Sequence, residues 1–94
     1  MLSQIPINLD KLRREDLEKE ILRDGIIAEL DAINLYEQLA ALTKDNLVKF
    51  VLLDIAKEEK THVGEFQALL LKKDPQQVEE LAQGKDEIQQ YSKW

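Results

Sequence analysis

The four residues Thr43-Lys44-Asp45-Asn46 constrain the fold of this chain more than any others. Before them, Leu17, Ile21, Leu22, Ile26, Leu30, Ile33, Tyr36 and Leu39 recur at three- and four-residue intervals; after them, Val48, Leu52, Ile55, Glu59, His62, Phe66 and Leu69 do the same, apolar but for the central two. This is the period of an apolar stripe on a helix. Two long helices joined by so short a link must fold back on one another as an antiparallel hairpin. The first is predicted from about Arg14 to Leu42, with Asp16, Glu18 and Glu20 suited to the N-terminal end of its dipole. The second is predicted from Asn46 to Lys72, with Asp45 or Thr43 as its N-cap. Gly25 lies inside the first helix at a propensity cost of about 1 kcal/mol, which marks either a close helix approach or a weak point.

Asp74-Pro75 reads as an N-cap followed by proline at the first helical position, and Gly84 as the residue past a helix end, so a short third helix is predicted over Pro75–Gln83. Residues 1–13, which contain Pro6, read as an extended lead-in. Residues 84–94 read as a polar tail whose large anchors are Tyr91 and Trp94. The domain proper is therefore 14–83. With 3 Gly, 2 Pro and an abundance of Leu, Ala, Glu, Lys and Gln, the fold class is all-α. No cysteine is present, which excludes disulfides, thiolate zinc sites and iron–sulfur ligation and leaves oxygen and nitrogen as metal ligands. A net charge of −6 disfavours nucleic acid and anionic membrane as partners and favours a cation. No apolar run approaches the ~20 residues of a membrane span and no export signal opens the chain, so a soluble, unexported protein is expected.

A two-helix hairpin cannot close a core alone. Apolar residues here spread beyond a narrow stripe, as at Ile26-Ile27 and Leu69-Leu70-Leu71. A second copy supplies the missing layer and completes a four-helix bundle, so a dimer at least is expected.

Glu59 and His62 interrupt the second stripe between Ile55 and Phe66, three residues apart and hence on one helix face. With 11 Glu in 94 residues, chance places a Glu three positions before a His about one time in eight, so this pair alone is weak. A lone His on an apolar face is more often a satisfied core or interface residue than a ligand. Glu29 changes the balance. It interrupts the first stripe between Ile26 and Ile33, about 15 residues before the turn, while Glu59 lies about 14 after it, so a hairpin brings the two level. Carboxylate bundles that hold two iron or manganese ions use one Glu from each of two helices and Glu-x-x-His from each of the other two. One chain offers half of that set, and a two-fold dimer offers all of it. Glu58 and Glu65 read as solvent-facing charges or as supports behind the ligands. Tyr36 is two turns from Glu29 and offers a hydroxyl behind the ligands or simply packs in the core. Asp31 lies off the stripe, where it is solvated or helps to attract cations.

Ala28-Glu29-Leu30-Asp31-Ala32-Ile33-Asn34-Leu35-Tyr36, followed by Glu58-Glu59-Lys60-Thr61-His62, resembles the encapsulated ferritins of the ferritin-like superfamily, over about residues 14–83. The likeness is greatest to archaeal forms fused ahead of an encapsulin shell domain. The resemblance implies ferroxidase activity, with Glu29, Glu59 and His62 from each of two subunits holding two irons per dimer across the interface. It also implies a decamer of five such dimers, an encapsulin shell as partner, and a place inside a cytoplasmic nanocompartment that stores the mineral. Calcium or another divalent cation is expected at secondary sites. Ala28 stands where the family often carries an acidic residue and Leu35 where it often carries Trp, so an uptake point built on Asp31 departs from the pattern while the triad does not. No familiar cargo-targeting peptide follows the predicted third helix. Two other functions use the same residues: a rubrerythrin-like di-iron peroxidase, and a non-enzymatic helical dimerisation module in which Glu29 and His62 pair structurally.

Overall fold

A computed structural model describes residues 13–92, without the side chains of Arg14 and Glu15. Apart from Arg13, the expected lead-in lies outside the described residues, as does Trp94. The described chain consists of three helices: α1 (Arg14–Leu42), α2 (Asn46–Lys73) and α3 (Pro75–Tyr91). The all-α reading is therefore correct, and the two long helices form the predicted hairpin.

The turn explains itself residue by residue. Thr43 ends α1 in an extended conformation, its N–H donating to Leu39 O at 3.2 Å. The Thr43 hydroxyl accepts from Asp45 N at 3.2 Å. Asp45 is the N-cap of α2, and its Oδ1 accepts from Leu47 N at 2.9 Å and Val48 N at 3.0 Å. Two of the backbone donors that a helix start leaves unpaired are thus satisfied. At the far end of α2, Lys72 and Lys73 complement the negative pole of the dipole.

Gly25 marks a close approach of the helices. A Cβ added there would sit 3.3 Å from Cε2 and Cζ of Phe66 on α2, inside ordinary van der Waals contact.

The third helix is longer than predicted. Gly84 does not end it; no glycine of the described chain has a positive φ, and the helix runs on to Tyr91, with Ser92 as its C-cap. The Ser92 N–H donates to Ile88 O at 3.0 Å and its hydroxyl to Gln89 O at 2.9 Å. Gln83 Nε2 donates to Glu87 Oε1 at 3.3 Å, a one-turn side-chain pair that straddles the glycine. Two further turns of backbone hydrogen bonds outweigh the ~1 kcal/mol cost of a mid-helix glycine.

The core is thin. Among the described residues only Leu22, Ile33, Ala40, Ala56 and Leu70 are buried apolar residues, and none is a large side chain entirely shielded from water. Leu30, Leu42, Leu47, Phe50, Leu69 and Ile88 are all exposed. The chain presents 7615 Å² to solvent. A folded monomer of 10.9 kDa is expected to present about 5,600 Å².

Candidate metal centre

Glu29 lies midway along α1 and Glu59 and His62 midway along α2, and the hairpin brings all three to one level. His62 Nδ1 is 3.3 Å from Glu29 Oε2 and 3.5 Å from Glu59 Oε2. One ligand atom from each lies within 4.8 Å of the others. The two carboxylates are largely shielded, with side chains 20% and 18% exposed, while the imidazole is 46% exposed. With its proton on Nδ1, the imidazole donates to Glu29 as a long hydrogen bond. The same nitrogen faces Glu59, so two acceptors converge on a position that one proton satisfies only in part.

That arrangement suits a cation better than a proton. Ligand atoms about 2.1 Å from a common ion lie about 3.0–3.4 Å from one another at tetrahedral or octahedral angles. The observed 3.3 and 3.5 Å are close to this. Two carboxylate oxygens and one imidazole nitrogen form a mixed donor set appropriate to first-row transition metals. Three ligands leave coordination positions open for solvent, substrate or a second chain.

A cleft of about 390 Å³ opens beside the triad, lined by Glu29, His62, Glu65, Phe66 and Leu69. Glu65, one turn beyond His62, thus shares the cleft with two of the three residues, a place that its spacing on the helix permits but does not demand. Asp31 and Tyr36 are half-buried on α1 and do not line the cleft. Lys60 reaches back to Glu37 on α1 at 3.3 Å, an exposed ion pair that lies outside the cleft. No helix of the described chain is long and apolar enough to cross a membrane.

A family model described as EncFtn-like matches residues 5–85. The chain is 56% identical over 92 residues to a ferritin-like–encapsulin shell fusion protein of Pyrococcus furiosus. That match covers 96% of this chain and 27% of the fusion protein, so the chain spans about a quarter of its relative's length. The crystal structure of the encapsulated ferritin domain from Pyrococcus furiosus is 53% identical, with a TM-score of 0.84 covering 100% of this chain and 98% of that one. A helical hairpin carrying a level Glu, Glu-x-x-His set, matched in sequence along nearly its whole length, belongs to the EncFtn-like family.

Proposed function

We propose that the chain is one half of a ferroxidase, and that two copies meet across a two-fold axis to bind two Fe(II) as substrate between their triads. The observation that carries this reading is the convergence of Glu29, Glu59 and His62 on one point, in a donor set suited to iron. The exposed apolar surface of the hairpin supports the second copy, since Leu30 and Leu69 are half-exposed on a chain with almost no core of its own. In the complete site Glu29, Glu59 and His62 of each chain would together hold the two ions, so that their charge is neutralised and positions remain for the oxidant. Each Fe(II) gives up one electron. Dioxygen takes two electrons and two protons to leave as hydrogen peroxide, or peroxide takes the same number to leave as water, and the Fe(III) passes on to mineral growth.

Asp31 serves as an outlying point of cation attraction for iron, calcium or another divalent ion, and Tyr36 as a donor behind the ligands. The fusion of the Pyrococcus furiosus relative to an encapsulin shell supports an encapsulin shell protein as partner and a cytoplasmic nanocompartment as the location; the working assembly we propose is a decamer of five dimers.

Anaerobic Fe(II) titration followed by aerobic oxidation tests the core of the proposal. About one iron per chain, two per dimer, is expected, with binding and oxidation both lost in Glu29→Ala and His62→Ala. Full oxidation rates in both variants would refute the site. Net accumulation of Fe(III) from excess Fe(II), as against repeated peroxide turnover with a reductant and only the bound iron, separates a ferroxidase from a rubrerythrin-like peroxidase, and native mass separates dimer from ring. The 3.3 Å contact between His62 and Glu29 favours one other reading, a non-enzymatic dimerisation module; that reading predicts loss of the dimer in His62→Ala with no iron bound by the parent.

A further inference from the structure

One residue separates α2 from α3. Asp74 is at once the C-cap of α2 and the N-cap of α3, with φ −135° and ψ 84°. Pro75 follows it, so the φ of residue 75 is locked and Asp74 is kept from helical conformation by the proline ring. The direction of α3 is then left largely to the φ and ψ of Asp74. The lever on these torsions is long: 17 residues make a rod of about 25 Å, and a turn of about 20° at the joint sweeps its far end by about 9 Å.

Packing does not fix the angle. No residue of α3 is buried. Where the three helices meet there is instead a cleft of about 340 Å³, with Arg23 and Ile26 of α1, Leu70 of α2, and Gln77 and Leu81 of α3 on its walls. The apolar side chains around the angle leave it open.

The polar contact at its apex is tight. Asp74 is 8% exposed, the one buried polar or charged residue of the described chain. Its carboxylate divides its two oxygens between the two bodies that meet there. Oδ1 accepts from Gln77 N at 3.1 Å, within α3, and Oδ2 accepts from Arg23 Nη2 at 2.8 Å, from α1 and 51 residues away. The carboxylate is held to α3 by the cap and to α1 by a short charge-assisted bond. We propose that the Arg23–Asp74 ion pair is a latch that fixes the direction in which α3 leaves the hairpin, separate from the cap that forms α3.

The two roles of the carboxylate can be separated by substitution. Asn is as good an N-cap as Asp but carries no charge, so Asp74→Asn keeps the cap and releases the latch, while Asp74→Ala loses both. Arg23→Met releases the latch from the other side and keeps an aliphatic wall to the cleft. Lys19, one turn earlier on α1, also favours the charge of Asp74, and Asp74→Asn removes that attraction as well.

The chain has no cysteine, so Glu18→Cys and Asp86→Cys, both at exposed positions, place one spin label on α1 and one on α3 without further change. Labelled chain diluted into excess unlabelled chain reports the distance within single chains by pulsed electron resonance. A single narrow distribution is expected for the parent, and one at least two-fold broader for both Arg23→Met and Asp74→Asn, with the far-ultraviolet helical signal retained. Unchanged mean and width in Asp74→Asn overturns the latch, and that variant decides if Arg23→Met costs helix. Broadening confined to Asp74→Ala overturns it too, by assigning the angle to the cap.

Discussion

Gly25→Ala tests how tightly α1 and α2 are set against each other beside the triad. In a helix interior the substitution gains about 1 kcal/mol of propensity, mostly by reducing the freedom of the unfolded chain. The new methyl would lie 3.3 Å from two carbons of the Phe66 ring and 3.4 Å from a third. Carbon contacts are comfortable at about 3.5–4.0 Å, so the ring edge must retreat by a few tenths of an ångström. Phe66 is half-buried and lines the open cleft beside His62, so it has somewhere to go, and the rearrangement recovers part of the lost contact. A net gain of about 0.5 kcal/mol is expected, which for a domain of this size raises Tm by roughly 2–4 °C. Urea unfolding at one fixed protein concentration measures it, since assembly shifts apparent stability. The same substitution made in Phe66→Leu has less ring to displace, and there the gain should approach the full ~1 kcal/mol. Loss of stability by more than about 1 kcal/mol in both backgrounds would refute the reasoning, because the obstacle would then be backbone and not the ring. Displacement of Phe66 also moves a wall of the cleft, so a change in Fe(II) affinity should accompany the stability gain.

Asp45→Ala removes the acceptor of two backbone N–H groups at the start of α2 and should cost about 1 kcal/mol by urea unfolding, with Asp45→Asn nearly neutral. Leu70→Ala should cost about 2–5 kcal/mol, because Leu70 is 4% exposed in a core with little else to collapse into the space; a loss below about 1 kcal/mol would show that the site relaxes. Acid should act partly through Asp74. The Gln77 backbone N–H and the Arg23 guanidinium hold its carboxyl below the ordinary value of 3.8 against the opposing effect of burial. A carboxyl depressed in the folded state contributes stability above its unfolded pKa and loses it as the pH falls through the folded one. The stability difference between the parent and Asp74→Asn, measured by urea unfolding, should therefore be constant from about pH 7 to pH 5 and shrink below 3.8.

The hairpin was legible in the sequence because both of its causes are local: a 3.6-residue apolar period and a polar break too short for any other connection. The level placement of Glu29 with Glu59 and His62 was legible for the same reason, since counting outward from a tight turn gives height along an antiparallel pair. The end of α3 was not. Glycine is a common terminator, but whether it ends a helix depends on the following residues, and here Glu87 pairs back across Gly84 to Gln83. Gly25 left two readings open that only the position of Phe66 could separate. The bond between Arg23 and Asp74 joins residues 51 apart through the angle between two helices, and no periodicity encodes that angle. The place of Glu65 on the cleft wall depends on rotation of α2 about its axis by less than one residue, which is finer than a stripe of apolar positions resolves.

The turn at Thr43–Asn46 works as the zero mark of a folded ruler. Seven residues inserted in α1 between Glu29 and the turn would keep Glu29 on the same face but carry it about 10 Å out of level with His62, dismantling the triad without altering one of its side chains. Matched seven-residue insertions in both arms would restore the level and lengthen the rod between turn and triad. A hairpin of this kind therefore tolerates growth only in pairs.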